Sequence, residues 1–303
     1  MSLTNRAPTT RPVRPLWHAF VWIIGLSLLC GAVNALYPLV MSQQARLHSA
    51  TAGDLLYIST FDAFDDEWQT YQGRLSAQIT EGVLRLEVGN APNLAYSASL
   101  PIFQDAEVSL SARASDGPID NGYGIIFRLQ EQSNDCDMPL KILCDLAQID
   151  ALGVPLRLLF RPQTPLTGYY LFMVSSDGYY SVWRAEGDSP KRVSTWIPSD
   201  AIRQGLDAEN HLRVVMHGDE FSFFINDSPV ELCIPDDPNA ESTYSAGQCL
   251  GGTLQSTWRD SRFQEGKVGV VAHATQTGGA GVVIDFEHLI VTMPRPAQEG
   301  DRT

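Results

Sequence analysis

Acidic residues are missing from the first 53 positions of this chain: Asp54 is the first of its 35 Asp and Glu. Formal charge of either sign is missing from Leu16 to Ala45. Basic residues then become scarce. Four of the 21 Lys and Arg precede Asp54, which leaves 17 against 35 acids and a formal charge of −18 beyond residue 53. A region this acidic lacks the basic patches that nucleic acid and anionic lipid require. The five cysteines form no Cys-x-x-Cys pair and have no His cluster beside them, which excludes a structural zinc site. G-x-S-x-G, H-E-x-x-H and phosphate-loop motifs are all missing, and with them the hydrolase, metalloprotease and nucleotide readings they carry.

What is present begins with the uncharged stretch. Leu16–Leu36 is 21 residues long and predominantly apolar, enough to cross a bilayer as a helix. Arg6, Arg11 and Arg14 precede it and the acids follow, so the N-terminus is expected in the cytoplasm and the rest outside. Trp17, Trp22 and Tyr37 suit interfacial anchors, and Pro38 marks the helix exit. The expected division is a basic tail over 1–15, a signal anchor over 16–41 and a linker over 42–53. A folded domain then runs over 54–294, with a polar tail over 295–303. A cleaved signal peptide is the competing reading, with Val33-Asn34-Ala35 as the small-residue site.

Cysteine usage agrees with export. Cys30 falls inside the apolar stretch, and Cys136, Cys144, Cys233 and Cys249 form two close pairs beyond it. Outside the cytosol such pairs oxidise, so Cys136–Cys144 and Cys233–Cys249 disulfides are expected, each closing its own loop.

From Leu55 onward the chain alternates in short runs. In Gly82–Val88, Leu84, Leu86 and Val88 oppose Val83, Arg85 and Glu87. Ala106–Ala112 places Val108 and Leu110 inward, and Gly122–Gln130 places Ile125, Phe127 and Leu129 on one face. Tyr169–Val174 and Tyr179–Ala185 flank an Asp-Gly turn, and His211–His217 and Glu220–Asn226 flank Gly218-Asp219; both predict hairpins. Two segments break this rhythm. Residues 131–167, with helical periodicity over Lys141–Ala151, and 229–262 read as insertions, each carrying one cysteine pair.

The order of these pieces resembles a known architecture. Phe61-Asp62-x-Phe64-x-x-x-Trp68 opens the domain. Gly122-Tyr123-Gly124-Ile125-Ile126-Phe127-Arg128, Tyr170-x-Phe172, Asn210-x-Leu212-x-Val214, Phe221-x-Phe223-x-Ile225-Asn226 and Gly266-Lys267-Val268-Gly269 follow. Ile284-Asp285-Phe286-Glu287-His288-Leu289-x-Val291 closes it. This resembles the concanavalin A-like, laminin-G-like jelly rolls of exported bacterial proteins, including a family-16-like and 3-keto-glycoside-hydrolase-like group. The resemblance implies an all-β, antiparallel two-sheet jelly-roll sandwich behind one transmembrane helix, with first and last strands paired. It does not imply a catalyst, because the superfold hosts binders and enzymes alike.

Retaining glucanases of this superfold aim an acid, an aspartate and a second acid from alternate positions of one strand. The nearest match here is Val283-x-Asp285-x-Glu287, in which the first position is a valine. His211, His217, His273 and His288 are scattered over several strands and read as solvent-facing or hydrogen-bonded.

Binding is therefore the expected activity. Arg128 lies opposite Ile125 and Phe127 in a regular strand, and Tyr169, Tyr179 and Trp183 are expected to share its face as a sugar-stacking platform. Asp62 and Asp285, on segments expected to pair, are candidate Ca²⁺ ligands through their hard oxygens. The sequence thus reads as a cell-membrane, single-pass protein with an extracytoplasmic module for glycan or cell-envelope material. An accessory subunit of a membrane complex, with a protein partner, is the first alternative. An atypical glycoside-active enzyme is the second.

Overall fold

The computed structural model describes residues 51–62, 67–90, 93–131, 166–187, 189–275 and 279–295. The strands among them run β1 (Leu55–Ser59), β2 (Leu75–Thr80), β3 (Val83–Asn90), β4 (Asn93–Phe103), β5 (Ala106–Asp116), β6 (Asn121–Glu131) and β7 (Leu166–Val174). They continue with β8 (Tyr179–Glu186), β9 (Ser189–Pro198), β10 (Asn210–His217), β11 (Glu220–Ile225), β12 (Ser228–Pro229) and β13 (Leu232–Pro235). The last are β14 (Thr243–Ser245), β15 (Gln248–Leu250), β16 (Gly252–Gln255), β17 (Thr257–Arg259), β18 (Gly266–Ala274) and β19 (Ala280–Thr292). Among these residues no helix is long and apolar enough to cross a membrane. The apolar stretch Leu16–Leu36, the helical periodicity of Lys141–Ala151, and Cys136 and Cys144 lie outside the described residues.

Two antiparallel sheets carry the fold. The smaller has six strands in the order β4-β18-β6-β7-β8-β9. The larger has nine: β12-β11-β10-β5-β19-β3-β2, with β1 also on β19 and β17 also on β11. The long strand β19 serves two neighbours on one side, β3 along Ala280–Phe286 and β1 along Leu289–Thr292. First and last strands are therefore paired. Both expected hairpins form, β7 with β8 and β10 with β11. In the first turn Gly178 takes φ +97°, a left-handed conformation open to glycine, and its N–H closes the turn on Ser175 at 3.0 Å.

Alternation then builds the core. Leu84, Leu86, Val108, Leu110, Ile125 and Phe127 are all fully buried between the sheets. Phe127 meets Phe221 at 5.6 Å and Phe172 meets Phe223 at 5.0 Å, ring centre to ring centre, so aromatic pairs bridge the two layers. Each such burial contributes roughly 1.5–3 kcal/mol relative to exposure.

One strand departs from simple alternation. Lys267 pairs with Leu129 and Gly269 with Ile126, so Phe127 and Arg128 together oppose the single residue Val268. This is a β-bulge, and Arg128 takes φ +51° within it. The extra residue shifts the parity of everything after it. Leu129, expected beside Ile125 and Phe127, packs instead on the outer face with Ile126, and Arg128 turns into the sandwich. Gly266 is required beside the bulge, because a Cβ there would stand 2.4 Å from the Arg128 carbonyl carbon.

The second insertion is more ordered than a loop. Between residues 229 and 262, β13 pairs with β16, β14 with β15, and β17 with the start of β11. The Cys233–Cys249 disulfide joins the hairpins across a separation of 16 residues, as expected from the cysteine spacing. Constraining a loop of that length is worth about 3 kcal/mol in the chain-entropy picture. The insertion also covers the edge of β9: Cys233 N donates to Ser194 Oγ at 3.0 Å and Thr195 N to Ser242 Oγ at 2.9 Å. An edge capped in this way cannot recruit another strand.

Candidate functional site

Each sheet has one face in the shared core and one turned outward, and the two outward faces differ in chemistry. On the nine-stranded sheet many outward side chains are charged, and its arginines are matched with acids. Arg85 donates to both carboxylate oxygens of the buried Asp285, at 2.7 and 3.0 Å, and Arg113 pairs with Glu287. Arg213 reaches Glu107 at 3.5 Å and stacks on Phe224 at 3.7 Å, while Ser111 Oγ lies 3.4 Å from His288 Nε2.

The outward face of the six-stranded sheet is aromatic. A single register row crosses all six strands as Ala98, Gly269, Ile126, Leu171, Trp183 and Arg192. The next row runs Tyr96, Val271, Gly124, Met173 and Ser181. Tyr169, opposite Ala185, packs into the same cluster, with Leu94, Trp183 and Trp196 partly buried around it. Gly122 lies where His273, Met173 and Trp196 converge, each within 3.5 Å of a Cβ placed there. Trp183 and His273 meet edge to face at 6.3 Å, and the Arg192 guanidinium sits 5.6 Å from the centre of the Trp183 ring.

Three buried polar atoms on this face lack partners among the described residues. Tyr96 Oη, Trp183 Nε1 and His273 Nδ1 are buried with no hydrogen bond among those residues. A buried polar atom without a partner costs about 1–3 kcal/mol, so natural proteins keep few of them. Burial pushes the Tyr96 phenol pKa up and the His273 pKa below its usual value, with Asp120 opposing the latter, so neither group gains by ionising at neutral pH.

The residues expected from sequence divide accordingly. Tyr169, Tyr179 and Trp183 share the outward face, since all three occupy odd positions of regular strands; Tyr179, 39% exposed, lies at its far end. Arg128 does not join them. The bulge carries it to the opposite side of the sheet, where it is fully buried, donates to the Gly218 carbonyl at 3.1 Å and lies 5.9 Å from the Phe221 ring centre. Burial pushes its pKa down to about 10 against the opposing pull of Asp105, Tyr170 and Glu265. Arg192 stands on the aromatic face in its place. Arg192, Trp196, Tyr96 and His273 escape sequence reasoning as site residues because they come together only through register across five strand pairings.

Asp285 and Asp62 are placed differently from a cation pair. Asp285 has its countercharge in Arg85, and Asp62 is exposed. Among the described residues no group of three or more His, Cys, Asp or Glu is arranged to hold a metal ion. Glu287, like Asp285, is committed to an arginine on the charged sheet rather than facing the aromatic groove.

No protein-family model matches the sequence, and no curated protein matches it. Solved structures are similar in fold. A carbohydrate binding module, CBM66, from Bacillus subtilis is 13% identical, with 75% of this chain and 95% of that one covered at a TM-score of 0.44. A Bacillus subtilis protein of unknown function with a galectin-like fold is 14% identical, covering 81% and 99%, also at 0.44. The catalytic domain of an endo-1,3-beta-glucanase (laminarinase) from Thermotoga petrophila is 9% identical, covering 82% and 100%, at 0.46. The fold described above rests on its own strand pairing, and the site on its own side chains.

Proposed function

We propose that the protein is a saccharide-binding module that uses the outward face of its six-stranded sheet, displayed outside the membrane on an N-terminal anchor. One observation carries the binding reading: half-buried indole rings stand beside buried polar atoms that have no partner among the described residues, all on a single face. Sugars match that combination, because their C–H faces stack on aromatic rings while their hydroxyls supply donors and acceptors. Among the described residues the opposite sheet has a buried unpartnered hydroxyl at Ser76 but no indole beside it, and its arginines Arg85, Arg113 and Arg213 are paired with acids. The anchor is supported by the apolar Leu16–Leu36 stretch and the change of charge across it.

The test is a glycan array probed with the full-length protein beside its Trp183→Ala variant. Signal from the parent and its loss in the variant, with cooperative unfolding retained, supports the reading. Silence from the parent, or equal signal from both, removes it. A second reading, an accessory subunit, is favoured by Leu250 and Leu254, which stand 47% and 39% exposed on the disulfide-clamped insertion. Migration of the chain in a large assembly on native gels of gently solubilised membranes would support that reading; migration near its own mass would remove it.

A further inference from the structure

Three guanidinium groups stack on aromatic rings in the described residues, and they differ in what else they hold. Arg213 stacks on Phe224 and is paired with Glu107. Arg128 lies against Phe221, buried, and donates to Gly218. Arg192 stacks on Trp183 and is exposed, yet it makes no side-chain hydrogen bond or ion pair among the described residues. The contrast extends beyond stacking. Arg85, Arg113, Arg184, Arg259, Arg262 and Lys267 all have a carboxylate partner. Arg74, Lys191, Arg203 and Arg295 also lack a carboxylate partner among the described residues, but none of them stacks on a ring. Arg192 alone among the described residues joins an aromatic ring to an exposed guanidinium with no acid beside it.

We infer that the face selects saccharides bearing a carboxylate, such as uronic-acid polymers, and that Arg192 reads that charge. The inference rests on the saccharide reading above and names the class of sugar. Stacking uses the flat faces of the guanidinium and leaves its N–H edge, a planar fork that matches a carboxylate with two parallel hydrogen bonds. Trp183 both positions the cation and offers the sugar ring a surface, so one pair of side chains recognises ring and charge together. The net negative charge of the domain does not forbid this, because at physiological salt charges beyond about 8 Å are screened while a direct contact is not.

The experiment is affinity electrophoresis of the full-length protein, in mild detergent, through native gels containing polygalacturonate, alginate or hyaluronan. Parallel gels contain the same polymers after reduction of their carboxyl groups. The expected result is retardation by at least one carboxylated polymer, weakened about tenfold by reduction and weakened by added salt. Arg192→Gln should erase the difference between the two forms, and Arg192→Lys should keep part of it, because charge remains while the fork is lost. Arg192 is exposed, so neither variant threatens the fold. Equal retardation by both forms, or retardation by the reduced form alone, overturns the charge inference and leaves the saccharide reading standing. A preference that survives in Arg192→Gln overturns the role of Arg192. Retardation unchanged in Trp183→Ala overturns both inferences. No retardation by any polymer overturns the charge inference, with the glycan array deciding separately on saccharides.

Discussion

The two outward faces of the sandwich are made from the same alternation of residues, yet one pairs most of its charges within itself, leaving Ser76 Oγ without a partner, while the other buries several unpartnered polar atoms among the described residues. On the nine-stranded sheet each of Arg85, Arg113 and Arg213 has its acid, and His288 has its serine. On the six-stranded sheet Tyr96, Trp183 and His273 each bury a polar atom with no hydrogen-bond partner among the described residues, and Arg192 has no acid among them. A face that satisfies its own groups gains little from a partner. One that does not can recover the missing interactions by binding.

Four substitution or titration experiments sharpen that contrast. Trp183→Ala should give the largest effect, a loss of about 30-fold or more in saccharide retention, the scale of a central aromatic anchor. The mirror change on the charged face, Asp285→Ala, strips a buried acceptor from Arg85 and should cost about 2 kcal/mol in urea unfolding while leaving retention unchanged. If Asp285→Ala abolished binding without destabilising the fold, the two faces would have been assigned the wrong way round. Arg128→Met removes a buried cation that has two unpartnered guanidinium nitrogens among the described residues. Replacing such a group with an apolar side chain of similar volume should change stability by no more than about 1 kcal/mol, and binding not at all. Lost binding in that variant would return Arg128 to the site.

The smallest expected effect is on pH dependence. His273 on the aromatic face and His211 on the charged face are both held below the usual 6.5 by burial, the latter helped by His288 and Arg213 against Asp227 and Glu209. Each is neutral in the native state while the unfolded chain takes up a proton first. Their contribution to stability is therefore full above pH 6.5 and falls as pH drops toward the folded-state values. Urea midpoints at pH 7.5 and 5.5 should show that loss, and His273→Gln should remove the aromatic face's share of it. A midpoint that rises on acidification would contradict the sign.

Much of the architecture was legible because it is local. Leu84, Leu86 and Val88 alternate with polar neighbours, Asp177-Gly178 fixes one hairpin, and Cys233 and Cys249 are close enough in sequence to choose each other. The site was half legible. Tyr169, Tyr179 and Trp183 sit in regular strands, so parity placed them on one face. Arg128 was misplaced because nothing in Phe127-Arg128-Leu129 itself signals that two residues will oppose Val268; the mark of the bulge, Gly266, sits on the neighbouring strand. Arg192 and Trp196 were missed because β9 is bulged against β8, where pairing slips between Tyr180 and Val182 and again before Trp183. Tyr96 and His273 enter from β4 and β18, nearly 180 residues apart in sequence, and only sheet register brings them onto one face.

The most direct measurement follows the indole N–H signals of the protein labelled at tryptophan with nitrogen-15, assigned by single substitutions, during titration with the strongest saccharide from the array. The account predicts that the Trp183 and Trp196 signals move together and saturate, while those of Trp68 and Trp258, both buried in the core between the sheets, stay fixed. A saturable shift confined to Trp68 or Trp258, or binding that leaves Trp183 and Trp196 unmoved, would contradict it.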